Sequence, residues 1–294
     1  MPGTLTFRQD YFGDPVAFRG LVALLQDIFG IDIGLQNRLG GPDPSSMPFG
    51  YFDDPDRCVA NFSAFSMPLV IGGRTVKAAG YQSGAVRPDF RGQGLYRDLM
   101  RRAFSWADAA GFEAGILLTD KPDLYARYGF HVVPQFQFCG KVPTSDIART
   151  DARELDLTRP EDLALVQRIL CERQPVSNLF AVARQSEMFL LNACFDPGIR
   201  LSFLPALNAV IAWKMTDDNT LQLLDIGARH IPPLAEITTA LGLPAKEVAV
   251  LFPPDRLNWK GEPQIYEGSC ALMIKGFELS TLPRPVMLSP MAEF

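Results

Sequence analysis

Between Gly84 and Arg97 the sequence reads GAVRPDFRGQGLYR, a pattern suited to holding an anion. A strand-like run reaches Val86 and is stopped by Pro88, which cannot donate a ladder hydrogen bond. A turn carrying Gly92 and Gly94 then opens directly into a helical pattern beginning at Leu95. The first N–H groups of a helix have no intrahelical partner, and the helix dipole adds partial positive charge there. Glycines let the backbone approach a phosphate and adopt torsions closed to other residues. Such a turn holds phosphate without a metal, and Arg91 and Arg97 would add guanidinium donors. The ending of a Walker loop and the spacing GxGxxG are both absent, which removes two common nucleotide sites. The competing reading is a glycine-bearing connection with no ligand.

The elements that must position this turn follow from periodicity. Apolar residues at helical spacing predict a helix over residues 15–29, with Asp14 as N-cap before Pro15. The stretch from Gly40 to Pro55 is rich in glycine and proline and reads as irregular. Cys58 to Val70 and Val76 to Val86 read as strands joined through the hairpin turn Gly72-Gly73. A helix is expected from Leu95 to Ala109, ended by Gly111, with Phe104 and Trp106 in the core and Arg101-Arg102 on a solvated face. A buried strand (Glu113 to Thr119), a short helix (Pro122 to Tyr128) and a strand through Phe138 complete an alternating α/β pattern. A polar stretch from Val142 to Asp156 reads as a linker. Beyond it the spacing predicts a long helical region from Pro160 to about Ala193, and strands near 201–204, 209–215, 221–226, 248–251 and 271–275. A helix is expected at 232–241. This order echoes the first half, and its strand-to-helix junction (residues 225–230) holds a single glycine, Gly227.

Composition narrows the function. A length of 294 residues suits two domains, and 47% hydrophobic with 21% charged residues is ordinary for a folded protein. A net charge of −5 argues against a nucleic-acid partner and mildly favours a cationic substrate. Cys58, Cys139, Cys171, Cys194 and Cys270 are widely spaced with no CxxC pair, so they read as reduced, mostly buried thiols. With His131 and His230 the only histidines, a histidine-rich metal site is excluded, and no metal is expected. No apolar run is long enough to span a membrane and no leader pattern begins the chain, so a cytoplasmic protein is expected.

Residues 58 to 138 resemble a GCN5-related N-acetyltransferase (GNAT) domain. VRPDFRGQG is similar to that family's strand end and pyrophosphate loop, and LYARYGF (Leu124 to Phe130) to its short helix, with a tyrosine before a Gly-Phe step. One departure is Tyr96, where the family's loop usually ends in Gly or Ala. Together with the Gly-Gly hairpin and the second half, it resembles the multi-domain, enhanced-intracellular-survival-like branch. Relatives in that branch usually add a sterol-carrier-like domain, for which this chain is too short. The resemblance implies a GNAT fold over 1–145 and a second, degenerate GNAT-like α/β domain over 155–294, whose C-terminal tail packs back toward the active site.

The same resemblance implies an N-acetyltransferase using acetyl-CoA on a small-molecule or peptide amine, by direct attack in a ternary complex; the alternative is a non-catalytic acyl-CoA sensor. Gly84, Ala85 and Val86 would meet the thioester and pantetheine; Arg91, Gly92, Gln93, Gly94, Leu95, Tyr96 and Arg97 would hold the pyrophosphate. Tyr125 would protonate the leaving thiolate, and Tyr128 would be structural. For the base, the Phe294 carboxylate, Asp120 and a water all remain open. No membrane partner is implied, and self-association is compatible with the branch.

Overall fold

The computed structural model describes residues 4–143 and 152–294. Most of the expected linker lies outside them. The chain separates into two compact units. One comprises Met1–Met67 with Lys77–Leu117, the other Pro68–Val76 with Leu118–Phe294. The compact units are therefore cut differently from the 1–145 and 155–294 division that the resemblance implies.

In the first unit, Thr6–Gln9, Met47–Asp54, Arg57–Ser66 and Ala78–Val86 form successive antiparallel neighbours. Ala78–Val86 then pairs in parallel with Ala114–Thr119, a strand that runs on into the second unit. The parallel register covers only Ala78 to Gly80 against Ala114 to Ile116. A parallel pair needs a crossover, supplied by the helix Leu95–Ala109. That helix buries Leu99, Met100, Ala103, Phe104 and Ala107, and Phe104 meets Tyr81 edge-on at 4.9 Å between ring centres. Its end is set by Gly111 at φ 73, past the cap residue Ala110, and the Phe112 N–H closes on the Ala107 carbonyl, a Schellman ending.

The helix Pro15–Phe29 starts as expected, with the Asp14 carboxylate accepting from the N–H groups of Val16 and Ala17. Its buried Leu21, Leu24 and Leu25 pack with Phe52, Cys58 and Ala85; each such leucine contributes about 2 kcal/mol by leaving water. Gly20 is required here, because a Cβ would sit 2.6 Å from the Asp56 carbonyl oxygen.

In the second unit a seven-stranded sheet has the order Arg153–Leu155, Arg200–Leu204, Ala209–Met215, Thr220–Gly227, Glu247–Val250, Phe136–Lys141, Glu262–Ile265. Only the step from Thr220–Gly227 to Glu247–Val250 is parallel, with the helix Leu234–Leu241 between the two strands. A smaller sheet joins Phe180–Val182, Leu69–Ile71 and Arg74–Val76, the last two linked by the Gly72-Gly73 turn. Both glycines have positive φ, 58 and 78, as a two-residue hairpin turn of this hand requires.

Several expectations change. Gly40–Pro55 is not irregular throughout: Met47–Asp54 is a strand whose Pro48 and Gly50 hide its β pattern, while Phe49 and Phe52 are buried. The long helical region breaks into Pro160–Glu172 and Ser186–Phe195, because the intervening Phe180–Val182 pairs with Leu69–Ile71. Arg102 is not merely solvated. It pairs with Asp98 at 2.6 Å and stacks on Phe7 at 4.0 Å. Trp106 is half-buried, beside Phe112. Among the cysteines only Cys58 is buried; Cys171 and Cys194 are exposed. Among the described residues no helix is long and apolar enough to cross a membrane, and no group of three or more His, Cys, Asp or Glu is placed to hold a metal.

Candidate active site

The expected anion turn is built as a strand end, a 3-10 turn and a helix start. Arg87 fastens the strand end: its N–H bonds the Val59 carbonyl, its Nε the Cys58 carbonyl at 2.9 Å, and its Nη1 pairs with Asp27 at 2.6 Å. Pro88–Phe90 then makes one 3-10 turn, closed by the Arg91 N–H on the Pro88 carbonyl. The Arg91 backbone donor is thus used internally, and its Nε folds back to the Val86 carbonyl at 3.2 Å. Arg91 can therefore serve a ligand only through the rest of its exposed guanidinium.

Gly92 and Gly94 both have positive φ, 76 and 80, a region that costs a residue with a Cβ about 1–2 kcal/mol. Gly94 is the N-cap of Leu95–Ala109 and has no side chain to cap with. Among the described residues, the N–H groups of Gly92, Gln93, Gly94, Leu95 and Arg97 have no partner in the protein. Five donors at a helix start with no carboxylate or hydroxyl capping them form a nest for an anion. Arg97 leans over it, with Nη2 3.5 Å from where a Gly94 Cβ would lie. The Gln93 amide makes a long 3.4 Å bond to the Asp89 carbonyl. One turn on, Asp98 accepts from Tyr51 at 2.9 Å and from Arg102. Burial alone would raise that carboxyl, but these two donors hold it below the usual carboxylate range.

Tyr96 departs from the small residue that the family resemblance implies, and Gly84 accounts for the space it needs. The phenol lies so close to Gly84 that a Cβ there would come within 2.2 Å of the Tyr96 oxygen. The ring stands edge-on to Phe62 at 5.6 Å. Gly84 and Tyr96, expected separately, are one steric unit. Ala85 and Val86 complete the ladder opposite Asn61 and Ala60. An open cleft in the same unit, lined by Gln9, Phe49, Asp98, Arg102 and Trp106 among others, contains none of the expected site residues.

The remaining candidates lie in the second unit. Tyr125 is buried on the short helix Pro122–Ala126, edge-on to Phe130 at 6.2 Å. Gly129 at φ 83 makes the turn between them. Tyr128 is half-buried beneath Arg127. Asp120 is exposed, 3.7 Å from Lys121. The tail bearing Phe294 is docked: Val286, Met287, Leu288, Met291 and Ala292 are all buried, and the Asn192 amide holds the Glu293 carbonyl at 2.8 Å. Sequence reasoning does not single out Glu293, whose carboxyl burial pushes up to about 7. Only the apolar character of the surrounding tail hints at that.

Residues 45–133 match the model of the GNAT acetyltransferase domain. That stretch of the chain is a GNAT domain. It spans the strand Ala78–Val86, the glycine turn, the crossover helix and Tyr125. An uncharacterized N-acetyltransferase of Streptomyces griseus subsp. griseus is 33% identical over 95 residues, which are 32% of this chain and 22% of the relative. The chain thus spans about a fifth of the curated relatives it matches. Over nearly its whole length the GNAT fold is shared with solved structures. A conserved protein of Enterococcus faecalis V583, described as a probable N-acyltransferase, superposes with a TM-score of 0.61 at 13% identity, over 95% of this chain and 74% of that one. Eis1 of Mycobacterium abscessus superposes with a TM-score of 0.59 at 15% identity, over 92% and 73%.

Proposed function

We propose that the protein is an acetyl-CoA-dependent N-acetyltransferase acting on a primary amine by direct attack in a ternary complex. The carrying observation is the uncapped helix start at Gly94, with its five unpartnered N–H groups and the Arg97 guanidinium, inside a GNAT domain. Its charge and geometry suit a pyrophosphate, with Gly92, Gln93, Gly94, Leu95, Tyr96 and Arg97 around it and Arg91 contributing through its guanidinium. The backbone of Gly84, Ala85 and Val86 is assigned to the thioester carbonyl and pantetheine amides.

In the reaction the amine, once deprotonated, forms a bond from nitrogen to the thioester carbon. The carbon–sulfur bond breaks, and the thiolate takes a proton. Tyr125 is assigned as that donor, a phenol being a suitable acid toward a thiolate. For the amine proton the acceptors are the Phe294 carboxylate, Asp120 or a water. The net charge of −5 is consistent with a cationic small-molecule or peptide acceptor.

Incubation with acetyl-CoA and a panel of amines, following release of free thiol, tests the assignment. Turnover with at least one amine is expected, and Tyr125→Phe should lower kcat about 10²-fold, the usual worth of one positioned proton donor. Binding of acetyl-CoA without thiol release on any amine would instead favour an acyl-CoA sensor.

A further inference from the structure

Opposite Phe62 the strand Ala78–Val86 carries one extra residue. Asn61 pairs with Ala85 and Ser63 with Gln82, so Ser83 and Gly84 together face a single position. This is a β-bulge. Ser83 stands at φ 58, left-handed, where a bulge of this hand ordinarily has glycine. Something must hold a serine there.

The Asn61 side chain is placed to do so. Its Nδ2 donates to the Ser83 carbonyl at 2.9 Å and to Ser63 Oγ at 3.0 Å, while its Oδ1 accepts from the Tyr11 phenol at 2.5 Å. Asn61 is fully buried, and Ser63 and Tyr11 nearly so. Both amide hydrogens and the oxygen are engaged, so the amide cannot turn without stranding a buried polar group. Tyr11 reaches it because Gly50 has no side chain; a Cβ there would lie 2.8 Å from the phenol oxygen. Three segments distant in sequence thus converge on one backbone carbonyl.

The peptide plane extends the effect. In a trans peptide the carbonyl and the next N–H point in opposite directions. With the Ser83 carbonyl held toward Asn61 on the strand Arg57–Ser66, the Gly84 N–H is directed to the other edge of its own strand. On that edge the parallel partner is in register only as far as Gly80. We propose that Asn61, oriented by Tyr11, is a positioning residue for acetyl transfer: by clamping the Ser83 carbonyl it aims the Gly84 N–H at the thioester. The inference rests on the acetyl-transfer reading above.

Steady-state kinetics on the full chain tests it, with Asn61→Ala corrected for folded protein by circular dichroism. The expected result is a kcat at least tenfold lower, with KM for acetyl-CoA within about threefold of wild type. Hydrogen exchange in the segment 82–86 should be at least tenfold faster while other strands keep their protection. A merely structural asparagine would lower the folded fraction and leave kcat per folded molecule intact. If Asn61→Ala does not fold, Tyr11→Phe removes the orienting bond, along with the phenol's interaction with the Cys58 thiol, and should lower kcat about threefold in the same pattern. Normal wild-type turnover with unchanged variant kcat and exchange would overturn this inference alone. Absence of turnover by the wild-type protein would overturn the acetyl-transfer reading and, with it, the role given to Asn61.

Discussion

The two units each contain a parallel strand pair bridged by a helix, and they treat the junction differently. At Ala78–Val86 into Leu95–Ala109, two glycines with positive φ lead to an N-cap with no side chain, and five N–H groups stay unpartnered among the described residues. At the start of Leu234–Leu241, reached from Thr220–Gly227, only the Ala235 N–H is left without a partner among the described residues. Pro232 and Pro233 have no N–H, the Leu234 N–H bonds the Leu257 carbonyl, and the Glu236 N–H bonds Pro233. The Ala228 carbonyl is taken by the Gln174 N–H. Asp225, at the strand end, is buried with Arg173 at 3.4 Å and accepts from Ser289 Oγ at 2.7 Å; the same hydroxyl reaches the Leu224 carbonyl. One topology thus leaves donors suited to an anion in one place and forms a plugged structural joint in the other. The difference lies in which backbone donors are left over, not in the order of strands and helices.

The largest expected effect breaks the plugged junction. Asp225→Ala strips the buried Arg173 of its carboxylate and should destabilise the fold by about 3–5 kcal/mol, read by chemical denaturation. A loss below about 1 kcal/mol would show that the plug is ornamental. Next, Gly94→Asp attacks the open junction, placing a carboxylate in the nest at φ 80. Acetyl-CoA affinity by calorimetry should fall by at least about a hundredfold, since like charges at short range in a poorly screened site cost several kcal/mol. An unchanged Kd would remove the anion assignment.

The tail that helps plug the second junction also carries a pH dependence. Burial holds the Glu293 carboxyl near 7 rather than 4.5, so the folded state binds its proton more tightly than the unfolded chain. The contribution is fully present below about pH 4.5 and is lost as pH rises through about 7, so stability should fall across that window. The full difference corresponds to about 3 kcal/mol at most. Denaturation of Glu293→Gln at several pH values should show this slope flattened. The smallest effect is that of Ser289→Ala, which removes one buried hydroxyl and its three hydrogen bonds, to Asp225, to the Leu224 carbonyl and from the Met291 N–H. It should cost about 1–3 kcal/mol with acetyl-CoA affinity unchanged; weakened acetyl-CoA binding would show that the two junctions are not independent.

Legibility in the sequence follows the same contrast. The open junction is written locally: Pro88, Gly92, Gly94 and the helix from Leu95 are adjacent, so their roles can be read along the chain. The Asp14 cap, the Gly72-Gly73 turn and the end at Gly111 are local too. The plug joins Arg173, Asp225, Leu257 and Ser289, and no short-range pattern links residues so far apart. Met47–Asp54 is hidden for a related reason. Its Gly50 answers to the ring of Tyr11, a contact between distant segments that outweighs the local preference against strand. Phe180–Val182 reads as helix until its partner Leu69–Ile71 is known. At the site, the positive-φ Ser83 offers only a weak signal, the glycine beside it inside a strand pattern.

The packing of Tyr96 against Gly84 constrains the order in which the site can change. While tyrosine occupies position 96, any side chain at 84 meets its phenol, so a lineage must first shrink residue 96 before residue 84 can vary. Once an alanine is fixed at 84, the way back to tyrosine at 96 is shut. The pair therefore works as an evolutionary ratchet, and descendants should divide into those holding Gly84 with Tyr96 and those with a small residue at 96 and freedom at 84.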